Sequence, residues 1–243
     1  MLYSNGEKTM NNDSRINEWF VPKFGPVKFR IFIGMLFLPY TGMCISFVVL
    51  GGLLAPNTNL ERLFAISVIY FMSLGIAAHI ADNVGSKRTK PWGNVFSKKQ
   101  SWVLIILFLF FSYVLGFYYI FYYTPLLLII CILESFFLFA YNFELFNGFF
   151  HNDFWFSISW GMLPFQAGFV IQTNSVTSIS MMTSLIPFIL SYIEIKLSRP
   201  YKDYKRDKTK ANRAKTFEKY LKILSLGTIL STVVLFSFDT LVN

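Results

Sequence analysis

Residues 79–83 read HIADN, and in this stretch His79, Asp82 and Asn83 are spaced by three and four. That spacing puts all three on one side of a helix. A carboxylate beside an amide oxygen suits Mg²⁺, which takes oxygen ligands and keeps several waters. Lys87, Arg88 and Lys90 follow at once, and cations so placed can hold the oxygens of a phosphate or diphosphate. The same residues also read as a capped helix end followed by cations that set membrane topology. A second acidic pair, Asp203 and Asp207, lies four residues apart in the basic stretch EIKLSRPYKDYKRDKTK. If that stretch is helical, both carboxylates share a face. There they either pair with Lys202, Lys205 and Arg206 or complete a divalent-cation site with Asp82 and Asn83.

Other polar groups stand in apolar surroundings. Glu134 lies mid-way through LLLIICILESFFLFAYNFEL, where an acid costs roughly 2.5–3.5 kcal/mol to place at the centre of a membrane helix. It is expected to face the bundle interior, as a structural hydrogen bond or as the lining of a substrate or proton path. Tyr141, Asn142 and Glu144 close the same segment, and Asn147, His151 and Asp153 follow without a lysine or arginine between them. Interface polarity and helix capping account for part of this group. Gln166 sits among Gly161, Pro164 and Gly168, a composition that favours close helix packing, with the amide available to a backbone group freed by proline.

These residues need elements to position them. The chain has 243 residues, 54% of them hydrophobic, with 29 Phe and 13 Tyr, and a mean hydropathy of +0.50. That is more apolar surface than a soluble domain of this size can hide. Apolar runs near twenty residues recur, about what a roughly 30 Å hydrocarbon core requires. They predict an all-α polytopic bundle of about seven spans, over 29–54, 61–82, 102–122, 125–147, 154–173, 176–196 and 220–238.

With seven spans and the N-terminus inside, 21 of the 22 Lys and Arg residues fall on the cytoplasmic side, Arg62 alone lying outside. The positive-inside rule selects that topology and leaves the C-terminus outside. It also explains the net charge of +9 through topology and lipid headgroups, with no nucleic-acid partner. Residues 1–25 are polar and are expected to form a disordered cytoplasmic tail, not a signal peptide. Residues 26–243 are expected to form one membrane domain. Cys44 and Cys131 fall inside spans and read as small hydrophobes, with no disulfide or zinc pattern.

With these elements in place, the order of motifs resembles the UbiA superfamily of intramembrane prenyltransferases. That family carries an Asn-Asp-x-x-Asp-x-x-x-Asp motif after its second helix, followed by an Arg-Thr-x-x-Arg-Pro-Leu element. Here HIADN is followed by Arg88, Thr89, Lys90, Pro91 and Trp92. Asp82 is the one acid kept, and the spacing is about four residues shorter. Tyr141 in YNFEL is similar to the family's Tyr-x-x-x-Lys segment, with Leu145 in place of the lysine. WGMLPFQAGF resembles its fifth helix, and Asp203 with Asp207 falls where a second acidic motif is expected. The family's last two of nine helices have no counterpart.

The resemblance implies a Mg²⁺-dependent transferase acting on a polyprenyl diphosphate and an unidentified acceptor. Asp82, Asn83, His79, Tyr141 and Glu144 would be its catalytic residues, and Lys87, Arg88 and Lys90 would hold the diphosphate. Asp82, Asn83, Asp203 and Asp207 would hold the metal, with Glu134, Asn142 and Gln166 as intramembrane polar groups. The thinned acidic motif leaves a second implication open, a relative that binds an isoprenoid or other lipid without catalysis or scaffolds a membrane protein partner. A transporter centred on Glu134 is a third.

Overall fold

A computed structural model of the chain describes residues 15–86, 92 and 96–242. Among these residues regular structure is entirely helical. Seven long helices run through it: α1 Val27–Leu53, α2 Leu60–Gly85, α3 Lys98–Tyr122, α4 Leu127–Asn142, α5 Asp153–Thr173, α6 Ser178–Arg206 and α7 Ala211–Leu241. Six of them are long and apolar enough to cross a membrane. The exception is α4, whose 16 residues make a rod of about 24 Å.

Local chemistry sets the helix ends. The Asn59 side chain accepts from the Arg62 N–H to start α2, and Ser97 with Gln100 forms a capping box at the start of α3. Asn152 accepts from the N–H groups of both Phe154 and Trp155 to open α5. Asn174, left-handed at φ 47°, closes α5. Its Oδ1 then accepts from Leu126 N–H at 3.0 Å, which ties the beginning of α4 to the far end of α5.

Glycines set how closely the helices approach. A Cβ on Gly51 would collide with the backbone carbonyl of Phe165, and one on Gly168 with that of Val48. Thus α1 and α5 meet backbone to backbone, the packing expected of small residues between membrane helices. At the other end a Cβ on Gly85 would strike the Asn142 carbonyl. This contact brings the end of α2 against the end of α4.

Three departures from regular α-helix surround one end of the bundle. In α1 the backbone breaks at Phe37, left-handed at φ 45°, just before Pro39. In α2 residues Phe71–Ala78 form a π-helical stretch, and in α5 residues Ile158–Met162 form another. Such turns widen a helix and re-aim the side chains around them.

Two expectations need correction. The segment from Arg15 to Gly25 is docked rather than disordered, with Ile16, Glu18 and Val21 buried. Arg15–Asn17 is a 3-10 turn, Tyr201 donates to Glu18 Oε2 at 2.5 Å, and Lys205 Nζ lies 3.0 Å from the same oxygen. The span expected to end at residue 196 also runs on as helix into the basic stretch. Helix α6 continues to Arg206 with Pro200 inside it, and α7 already begins at Ala211.

Candidate functional site

The ends of α2, α4 and α6, the beginning of α5 and the break in α1 enclose a cavity of about 190 Å³. Helix α2 contributes His79 and Asp82, α4 contributes Glu134, Tyr141 and Asn142, and His151 comes from the loop before α5. Helix α6 contributes Glu194, Ser198, Arg199 and Lys202. These positions form one stripe at three- and four-residue spacing, so a single face of α6 looks into the cavity.

Aromatic rings fix the histidines. The His79 ring lies 4.7 Å from that of Phe37 and 5.2 Å from that of Trp160. Its Nε2 is 3.4 Å from Thr41 Oγ1. His151 stacks on Tyr141 at 4.4 Å, with its Nδ1 2.9 Å from the Tyr141 carbonyl. Asn142 donates to the Leu138 carbonyl at 2.8 Å.

Charge is arranged unevenly. Asp153 holds Lys196 at 2.8 Å and the guanidinium of Arg199 at 3.1 Å, which fixes Arg199 against the start of α5. Lys202 stands within electrostatic reach of both Asp82 and Glu194. Glu134 accepts from the Tyr70 hydroxyl at 2.9 Å. Through Leu74, Glu134 and Leu138 the cavity adjoins a narrower apolar groove of about 60 Å³ between α2, α3 and α4. Ile69, Leu109, Gly116 and Ile130 are among its walls. A chamber lined by charged and aromatic side chains therefore shares a wall with an apolar slot.

The sequence-selected residues divide sharply. His79, Asp82, Tyr141, Asn142 and Glu134 all line the cavity. Asn83 does not: its Oδ1 accepts from the Trp92 N–H at 3.1 Å, which ties Trp92 to the end of α2. Glu144 adopts a left-handed backbone at φ 49° and lies outside the lining. Gln166 is buried between α5 and the start of α6, where it accepts from Ser180 Oγ at 3.2 Å. It does not serve a proline-freed backbone group there. Lys87, Arg88 and Lys90 lie outside the described residues.

The second acidic pair also falls away from the chamber. Asp203 is exposed, and α6 ends before Asp207, whose backbone is extended at φ −94° and ψ 102°. The two carboxylates therefore do not share one helical face. Asp207 instead accepts from Thr209 N–H at 3.0 Å and pairs with Lys210 at 3.0 Å. Hydrogen bonds from Thr209, with the charge of Lys210, hold its carboxyl below the ordinary value. Among the described residues no group of three or more His, Cys, Asp or Glu side chains is placed to hold a metal ion. Of the four expected ligands, Asp82 alone reaches the cavity, so these residues do not make up the Mg²⁺ donor set implied by the resemblance.

Sequence reasoning passed over Glu194, Arg199, Trp160, Phe37 and Tyr40, and read Lys202 only as a pairing partner for Asp203 and Asp207. For the α6 residues the signal was present, as an acid in the apolar run SYIEIKL with cations at i+5 and i+8. The aromatic walls carry no such signal, because a Phe or Trp in an apolar run looks the same whether it faces lipid or a chamber. No protein-family model matches the chain, and neither does any curated protein or solved structure.

Proposed function

We propose that the chain is an intramembrane prenyltransferase of UbiA type, which takes the diphosphate of a polyprenyl donor into the polar cavity and its hydrocarbon into the adjoining groove. The observation that carries this reading is the junction itself. Arg199 and Lys202 stand in a chamber whose wall residues Leu74, Glu134 and Leu138 also wall the apolar slot. An amphiphile with an anionic head complements that arrangement, the exposed Arg199 and Lys202 side chains offering the charge for it.

Ionisation of an allylic carbon–oxygen bond leaves both electrons on the diphosphate. Arg199, anchored by Asp153, and Lys202, within electrostatic reach of Asp82 and Glu194, would take up that charge. Lys87, Arg88 and Lys90, which follow α2 in the sequence, would add to it. Arg199 and Lys202 carry this charge in the absence of a complete Mg²⁺ donor set among the described residues, and the dependence of transfer on Mg²⁺ is measured directly. All seven helices would cross the membrane, placing the cavity on the cytoplasmic side with the cations. The non-catalytic reading, binding of an isoprenoid or other lipid without transfer, draws on one observation: Asp82 is the only expected metal ligand in the chamber.

The test incubates purified protein with labelled polyprenyl diphosphates and a membrane lipid extract, with and without Mg²⁺, beside Asp82→Ala and Arg199→Ala/Lys202→Ala variants. Transfer is expected from the native chain and to fall in Asp82→Ala, which removes the carboxylate that faces Lys202. The double variant is expected to lose donor binding. Donor binding without transfer would replace this reading with the lipid-binding one, and absence of donor binding would sink both.

A further inference from the structure

The connection between α4 and α5 differs from those after α2 and α6. They are rich in Lys and Arg, whereas neither residue occurs between Lys99 and Lys196. Here stand instead Phe146, Phe149 and Phe154, which are 64%, 63% and 51% exposed. They edge an aromatic cluster in which Phe150 packs on Phe136 at 4.9 Å, on Phe149 at 5.0 Å and on Trp155 at 5.1 Å. A contiguous exposed apolar patch marks a surface that meets a membrane or another protein.

Three observations favour the membrane. The first is depth. Helix α4 is tied at its start to Asn174 at the far end of α5. Its 16 residues cover about 24 Å of a roughly 30 Å core, which leaves its end about 6 Å short of the boundary. Phe154 also meets Phe188 edge-on at 5.6 Å, and Phe188 lies about two helical turns before Lys196, the first cation of α6.

The second is hydrogen bonding. Irregular backbone persists at that depth only where the protein itself satisfies its polar groups. The N–H groups of Leu145, Gly148, Phe149 and His151 all donate to carbonyls within residues 140–148. Asn152 donates to the Phe149 carbonyl at 2.9 Å and accepts from the Phe154 and Trp155 N–H groups, both at 3.1 Å. The third is strain. Phe146 is left-handed at φ 52°, a conformation that a bulky side chain rarely adopts. Exposing its ring to water would add a second cost, and placing the ring in hydrocarbon removes it.

We propose that the α4–α5 connection is a membrane wedge, which lies at the headgroup boundary and seats Phe146, Phe149 and Phe154 among the hydrocarbon chains of the adjoining leaflet. Trp155 and Asp153 share the first turn of α5, so the depth of the wedge also sets the depth of the Asp153–Arg199 pair. The wedge rests on the crossing of α4 and not on prenyl transfer.

The test places a nitroxide at Phe149→Cys in a chain carrying Cys44→Ala and Cys131→Ala, reconstituted in phospholipid nanodiscs. Power saturation reads its collisions with oxygen, which concentrates in hydrocarbon, and with a nickel chelate, which stays in water. Lys99→Cys and the exposed mid-helix Phe110→Cys supply the two reference environments. Oxygen is expected to exceed nickel at position 149, as at position 110 and in the reverse of position 99. The same measurement at Phe154→Cys decides the matter if the first variant fails to fold. Access to nickel equal to or above that to oxygen overturns the wedge. So does protection from both reagents, which would show a second chain covering the patch. A water-exposed position 149 leaves the transferase reading standing, and a wedge in a chain that transfers nothing does the reverse.

Discussion

Asp82 and Asn83 are neighbours in sequence and opposites in role. Both sit on the side of α2 that carries His79, but adjacent residues stand about 100° apart around a helix. The cavity takes one flank and Trp92 takes the other. Asp82 enters the chamber beside Lys202, whereas Asn83 spends its oxygen on the buried Trp92 N–H. Substitution separates the two roles. Asp82→Asn is expected to leave the melting temperature of the purified protein nearly unchanged while weakening donor binding. Asn83→Ala is expected to cost about 1–3 kcal/mol of stability, because it strands a buried N–H. Chemical denaturation beside a donor-binding assay reads both, and a stable Asn83→Ala that binds no donor would reverse the assignment.

At the scale of elements, the end of the bundle is held by a segment expected to be disordered. Arg15 pairs with Glu18 at 3.3 Å, its guanidinium lies 4.6 Å from the Phe37 ring, and Glu18 is tied in turn to Tyr201 and Lys205. Burial alone would raise the Glu18 carboxyl, but the charge of Arg15, the Tyr201 hydrogen bond and Lys205 outweigh it and hold the carboxyl below its ordinary 4.5. The folded value is therefore the lower one. The stabilisation is fully present above the ordinary value and is lost as the pH falls through the depressed folded value. Thermal unfolding followed from pH 7 down to about pH 3 should show the native chain losing melting temperature below that ordinary value, and Glu18→Gln losing much less over the same interval. Equal slopes would show that the network does not hold the segment. Composition could not reveal this docking. A short stretch of mixed polar and apolar residues reads as a tail until a partner such as Tyr201, 183 residues away, is brought against it. The α6 cations were obscured in a related way. Arg199 and Lys202 count equally toward the positive-inside balance whether they face water or the chamber, and only the packing of α6 on α5 decides which.

For the whole molecule, the apolar runs marked nearly every helix, because a bilayer imposes length and hydropathy together. What they leave open is the crossing of α4, too short by itself for a full hydrocarbon core. Its geometry argues that it traverses the bundle: Leu126 is tied to Asn174 at the far end of α5, and Tyr141 reaches the cavity at the other. A short helix can cross if the bilayer thins beside it or its flanking residues reach to the interfaces. Helix α4 is also shielded on the inner side, where Leu127, Ile130, Phe137 and Leu138 are buried against its neighbours. Single cysteines replacing the exposed residues Lys99, Leu145 and Asn57, in a chain with Cys44→Ala and Cys131→Ala, distinguish the alternatives by labelling with an impermeant maleimide. If α4 crosses, the cysteines at positions 99 and 145 react from the same side and that at position 57 from the opposite one. If α4 turns back, position 145 joins position 57, the cavity loses its single-sided access to cytoplasmic diphosphate, and the transferase reading fails with it.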